Sequence, residues 1–77
     1  MENRNWVLDL HGVRHKEVHS KVDSFIGEHI LKGTYCVEII TGKSKEMKYL
    51  VQKVLGDYEL FSEETALNPG KLIVNLT

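Results

Sequence analysis

Tyr35-Cys36-Val37-Glu38-Ile39-Ile40-Thr41-Gly42-Lys43-Ser44 occupies the middle of a 77-residue chain. Residues 35–40 are apolar except at Glu38 and read as a strand. The last four residues form a glycine turn. Beyond it, Met47, Leu50, Val51, Val54 and Leu55 recur at i, i+3, i+4, i+7 and i+8. That spacing is one face of a helix, which Gly56 is expected to end. A strand that passes through a tight turn into a helix is the building unit of α/β folds.

The same signals repeat on the N-terminal side. Val18, Val22, Phe25, Ile26 and Ile30 fall at i, i+4, i+7, i+8 and i+12, giving a helix over 15–32 with Gly33 as its cap. Gly27, inside it, weakens it by roughly 1 kcal/mol relative to alanine. His29 projects onto the apolar face and reads as a satisfied, partly buried histidine rather than a ligand. Residues 6–10 read as an earlier strand, and residues 1–4 as a polar, frayed start. On the C-terminal side, residues 58–61 suit a short strand and 62–70 a polar loop. That loop ends in the turn signal Asn68-Pro69-Gly70. Residues 71–76 are mostly apolar and so suit a central strand. The order β-α-β-α-β-β predicts an α/β, two-layer (α+β) sandwich.

The length allows one domain, over residues 1–77. Such a chain buries only a little over ~60% of its extended surface, so its stability is expected to be marginal. An apolar fraction of 42% is enough for one core. No apolar run approaches the roughly 20 residues that cross a bilayer. Met1-Glu2-Asn3-Arg4-Asn5 has no apolar stretch, so no secretory leader is expected. The single cysteine, Cys36, excludes an internal disulfide. In an apolar run it reads as a buried, inert thiol, and a cytoplasmic setting follows. A net charge of −1 and a pI of 6.4 argue against a generic polyanion binder. The charge is uneven, however. Arg14, Lys16, Lys43, Lys45 and Lys48 follow the two strands, whereas Asp57, Glu59, Glu63 and Glu64 lie in the last third.

Two loops carry the candidate chemistry. Asp9 and His11 are two apart on one strand and are expected to share a face. A carboxylate beside an imidazole orients the ring, raises its basicity or holds a divalent cation with it. The plainer reading is that Asp9 accepts backbone N–H groups where the strand ends. Gly12 permits a sharp turn and close approach of a ligand. Thr41-Gly42-Lys43-Ser44 is no nucleotide-hydrolysing phosphate loop, because Val37 stands where that pattern needs its first glycine. It still offers N–H groups and a helix dipole to an anion such as a backbone phosphate, with Lys43 and Lys45 adding charge. His15 and His19 are spaced i, i+4 and lie near His11. With no second Cys or His cluster, no resident metal is expected there. Trp6, Tyr49 and Phe61 read as core aromatics.

Leu8-Asp9-Leu10-His11-Gly12, a helix, Ile39-Ile40-Thr41-Gly42-Lys43, a second helix, and a closing strand after Pro69-Gly70 together resemble the Smr (small MutS-related) domain. The resemblance spans about residues 6–76. It implies a mixed four-stranded sheet with two helices, like the C-terminal domain of translation initiation factor three. The fourth strand would lie between the second and third, antiparallel to them. It implies nucleic-acid binding and, in several members, endonuclease activity. Some members nick DNA, and others cleave messenger RNA at stalled ribosomes. Asp9 and His11 would then be the cleavage residues. Gly12, Arg14, Lys16, Thr41, Gly42, Lys43, Ser44, Lys45 and Lys48 would bind nucleic acid. Ser44 stands where the family has its second glycine. A side chain there is expected to obstruct a positive-φ backbone or a close phosphate contact.

Three functions are therefore expected to compete. The first is a metal-independent or Mg²⁺-assisted endonuclease acting on RNA or DNA. The second is a non-catalytic module for structured nucleic acid or a ribosome-associated surface. The third is a protein-interaction module built on the helical face.

Overall fold

The structure, a computed structural model, describes residues 6–65 and 67–76. The expected fraying of residues 1–4 lies outside the described residues. The elements are β1 (Val7–Asp9), α1 (His15–Lys32), β2 (Cys36–Ile40), α2 (Lys45–Asp57), β3 (Ser62–Thr65) and β4 (Asn68–Asn75). The sheet order is β1-β2-β4-β3. β1 and β2 are parallel, and β4 runs antiparallel to both β2 and β3. The mixed sheet, the two helices and the central place of β4 are as expected.

Alternation along the strands sets the layers. On β2, Val37 and Ile39 point into the core, as do Leu72 and Val74 on β4. They meet Val18, Val22 and Ile26 of α1 and Met47, Val51, Val54 and Leu55 of α2. Each such side chain stabilises the fold by roughly 1.5–3 kcal/mol on full burial. The intervening residues, Cys36, Glu38 and Ile40, face away from the helices. Cys36 is therefore exposed, not a buried thiol. It opens β2 on the outward side, opposite Asn75.

α1 packs slightly rotated from the expected stripe. His29 is buried at 1% exposure, while Ile30 is 43% exposed. The end of the helix explains this. Gly33 is left-handed at φ 73°, its N–H donates to Ile30 O, and the Thr34 N–H donates to His29 O. The turn brings Thr34 Oγ1 within 2.8 Å of His29 Nδ1, which satisfies the buried imidazole. Gly27 lies under the Tyr58 hydroxyl, which donates to Asp23 Oδ1 at 2.7 Å.

The second helix does not end at Gly56. It runs to Asp57, and Glu59 takes the left-handed position at φ 59°. The chain therefore turns later than expected, so residues 58–61 are a helix end and connector, and β3 begins at Ser62. The region read as a polar loop is mostly a β3–β4 hairpin, because the turn residues Asn68-Pro69-Gly70 begin β4. Glu64 faces the helices opposite Leu72, where it meets Lys48. Alternation thus turns a polar strand into an edge strand that answers a helix lysine. The expected core aromatics are exposed instead: Trp6 at 37%, Tyr49 at 61% and Phe61 at 87%. Among the described residues no helix is long and apolar enough to cross a membrane.

Candidate nucleic-acid interface

Parallel pairing of β1 and β2 brings their carboxyl ends to one sheet edge. The Leu10 N–H donates to Ile40 O at 2.9 Å, so the two strand-to-helix loops start side by side. β4 begins at the same edge, because it runs antiparallel to β2. Three segments therefore meet there: the β1–α1 loop, the β2–α2 loop and the first residues of β4.

In the first loop, the Val13 N–H donates to Leu10 O at 3.0 Å, closing a four-residue turn. Gly12 is its third residue, at φ 77°. His11 keeps a negative φ, so this is a type II turn, whose third position favours glycine. β1 ends at Asp9, and His11 sits in the turn rather than on the strand. The strand alternation expected to align their side chains does not reach His11. Asp9 Oδ1 instead accepts the backbone N–H of His11 at 2.8 Å. The imidazole is exposed and has no hydrogen bond or ion pair among the described residues.

The second loop is tied down more heavily. Gly70 O accepts from the Thr41 N–H at 2.9 Å and the Gly42 N–H at 3.0 Å. Thr41, only 6% exposed, donates its hydroxyl to Gly42 O at 2.9 Å. A Cβ on Gly70 would lie 3.2 Å from Gly42 Cα, closer than ordinary van der Waals contact. Gly70 thus braces the loop through both its carbonyl and its missing side chain. In sequence it reads only as part of a turn; nothing there says which backbone it would touch. Ser44 adopts φ −69° and ψ 117°, a conformation open to any residue. Its Oγ accepts the Met47 N–H at 3.1 Å and caps α2. The serine in place of the family glycine therefore creates no backbone strain, and the expected obstruction of a positive-φ backbone does not arise.

The candidate binding residues divide. Gly12, Arg14, Lys16, Gly42, Lys43, Ser44 and Lys45 are exposed. Arg14 precedes α1 without a side-chain cap, and its carbonyl accepts the Glu17 N–H at 2.9 Å. Lys16 lies on the outward side of the first turn of α1, roughly 200° from buried Val18. Thr41 is buried and structural, and the Gly42 N–H is engaged by Gly70. Lys48 is paired with Glu64 and its side chain is only 17% exposed, which withdraws it from the surface. Lys71, at the start of the central strand, adds a cation near this edge and lies 3.4 Å from Glu38. No group of three His, Cys, Asp or Glu side chains fit to hold a metal occurs among the described residues. His11, His15 and His19 form no such group. His15 Nδ1 instead lies 3.2 Å from Glu46 Oε1, joining the first turns of the two helices.

The layout is a two-layer α+β fold with two strand-to-helix loops side by side at the ends of its parallel strands. The family model of the Smr domain matches residues 8–69, and the chain belongs to that family. Smr domains are known as nucleic-acid-binding domains, some with nicking endonuclease activity. No curated protein and no solved structure shows a match to this chain.

Proposed function

We propose that this domain binds RNA or DNA at the loop edge and cleaves a phosphodiester there. One observation carries the reading: the His11 imidazole, without a partner among the described residues, stands on a hydrogen-bonded turn beside a second loop bearing Lys43. His11 takes the proton of the attacking oxygen, or returns one to the leaving oxygen. Asp9 acts through the backbone, holding the turn that presents the ring. Lys43, Lys45 and Arg14 attract the phosphates and balance charge developing on the one attacked. The cations number few, so binding is expected to be weak and strongly salt-dependent. Mg²⁺ commonly arrives with one carboxylate and substrate phosphates, and a metal arm of the assay tests that route. We place the domain in the cytoplasm, in keeping with its one unpaired, exposed cysteine.

A second reading has its own support. The Asp9 carboxylate serves the backbone and not the ring, so the imidazole lacks an orienting partner. On that reading the edge binds nucleic acid or a ribosome-associated surface without cutting it. One assay separates the two. Labelled RNA and DNA are incubated with the protein in Mg²⁺, Mn²⁺ or EDTA, beside His11→Ala and Asp9→Asn. Product that disappears in His11→Ala while binding persists supports the nuclease. Unchanged product in that variant removes the assigned mechanism, and salt-sensitive binding without product supports the non-catalytic module.

A further inference from the structure

α1 and α2 both start at the loop edge and run away from it, so both end at the opposite pole of the sheet. β1, β2 and β3 start at that pole, and β4 ends there. Among the described residues, most of the exposed large apolar side chains gather there. Leu31, 90% exposed, and Ile30 lie in the last turn of α1. Tyr35, 79% exposed, precedes β2, while Trp6 precedes β1 and Phe61 precedes β3. The Leu76 N–H donates to Tyr35 O at 2.8 Å, and Leu76 lines a surface depression with Leu60 and Phe61. Apolar residues therefore follow one another across the ends of β2, β4 and β3, about 4.8 Å apart per strand. A clustered patch of this kind marks an interaction site, unlike apolar residues scattered singly.

The charges around the patch select its partner. Glu59 and Glu63 stand two residues to either side of Phe61, are exposed, and have no ion pair among the described residues. Asp57, exposed at the end of α2, also has none, with Lys53 one turn before it. Lys32, in the last turn of α1, is held by Glu28 at 2.9 Å, and the last turn of α2 has no basic residue. The negative ends of both helix dipoles point the same way. The loop edge is the reverse, with both helix starts and exposed Arg14, Lys16, Lys43 and Lys45. Nucleic acid is therefore repelled from the pole. A second copy docked pole to pole would set like charges against each other. A protein segment with apolar side chains between cations satisfies both the patch and its rim.

We propose that the pole opposite the loop edge is a docking surface for another protein, through a segment whose apolar side chains are flanked by Lys or Arg. Leu31, Tyr35 and Phe61 anchor the apolar side chains, and Asp57, Glu59 and Glu63 meet the cations at the rim. The two surfaces lie at opposite ends of the sheet, so nucleic acid at the loop edge and protein at the pole bind together without displacing each other. The docking surface stands apart from the chemistry assigned to His11.

The test uses the full chain labelled with ¹⁵N, titrated with synthetic peptides of Leu and Lys, one patterned as a helix and one as a strand. A Leu–Glu peptide and a Ser–Lys peptide are the controls for charge and for apolar contact. Leu31→Ser and Phe61→Ser change exposed side chains, so neither is expected to unfold the domain. Expected are amide shifts at Leu31, Tyr35 and Phe61 with a Leu–Lys peptide and not with either control. Each variant should weaken that binding by at least about fivefold, the effect of losing one interface anchor, and leave nucleic-acid binding unaltered. Leu67→Ser, which changes an exposed apolar residue in the β3–β4 turn, should bind the peptide like the parent. No shift with either Leu–Lys peptide, equal binding of a control peptide, or pole variants that bind like the parent overturns the docking surface while the loop-edge reading stands. Dimerisation of the chain alone that is lost in Phe61→Ser gives the pole to a second copy and overturns it as well.

Discussion

The β1–α1 loop holds its shape with a side-chain hydrogen bond, from the His11 N–H to Asp9, and the His11 imidazole has no partner among the described residues. The β2–α2 loop is held by Gly70 O, by the Thr41 hydroxyl and by the Ser44 cap, and its polar side chains are largely engaged in that task. Both are glycine turns that open a helix. One presents an exposed imidazole, and the other is a braced turn with exposed Lys43 on it. A serine is tolerated where a glycine was expected because its position carries a helix cap instead of a left-handed turn. Burial marks the same division: His11 is exposed and Thr41 is buried.

That contrast can be broken at its strongest point first. If the first loop carries the chemistry, His11→Ala lowers cleavage by about 10²–10⁴-fold while the melting temperature stays put. Asp9→Asn keeps an acceptor for the His11 N–H and should retain the turn. Comparing the cleavage rates of these two variants separates a backbone anchor from a charged catalytic partner. The second loop should respond in stability. Gly70→Ala drives a Cβ to 3.2 Å from Gly42 Cα and is expected to cost about 1–3 kcal/mol by urea denaturation. Ser44→Ala removes the cap and should cost about 1 kcal/mol, whereas Ser44→Gly should cost only a few tenths and leave cleavage unchanged. A rise in cleavage in Ser44→Gly would show instead that the serine impairs the site.

The smallest effect is expected far from both loops and serves as their control. The Tyr58 hydroxyl titrates above its ordinary value, chiefly because it donates to the Asp23 carboxylate, with partial burial and the charges of Asp23 and Asp57 adding to the shift. The raised pKa favours the neutral phenol in the folded state. Its contribution is fully present below the unfolded value of about 10 and fades as pH rises through the folded value. Tyr58→Phe should flatten stability above that pH and leave nucleic-acid binding untouched. A change in binding would tie the far end of the helix pair to the ligand edge.

Much of this organisation is legible from local patterning. The alternating core positions of β2, the helical stripes of Val18, Val22 and Ile26 and of Met47, Val51 and Val54, and the two glycine turns are properties of near neighbours. Chain connectivity alone then makes parallel strands deliver both turns to one edge. The Smr family motifs are likewise local strings. The polar strand β3 was not legible, because Ser62-Glu63-Glu64-Thr65 has neither apolar residues nor a period. It becomes a strand only by pairing with β4, and that register, opposite Leu72, turns Glu64 toward the helices, where Lys48 meets it. His29 was legible as a satisfied histidine, but its partner depends on how the Gly33 cap turns the chain.

The residues alone determined the element order, most of the core stripes and the two glycine turns at the strand ends, because helix and strand periods and turn chemistry act over a few positions. Tertiary structure decided which of those groups are available. Gly42 is claimed by Gly70 and Lys48 by Glu64, while the His11 side chain has no partner among the described residues. Availability depends on distances between segments far apart in the chain, and a single sequence does not contain those distances.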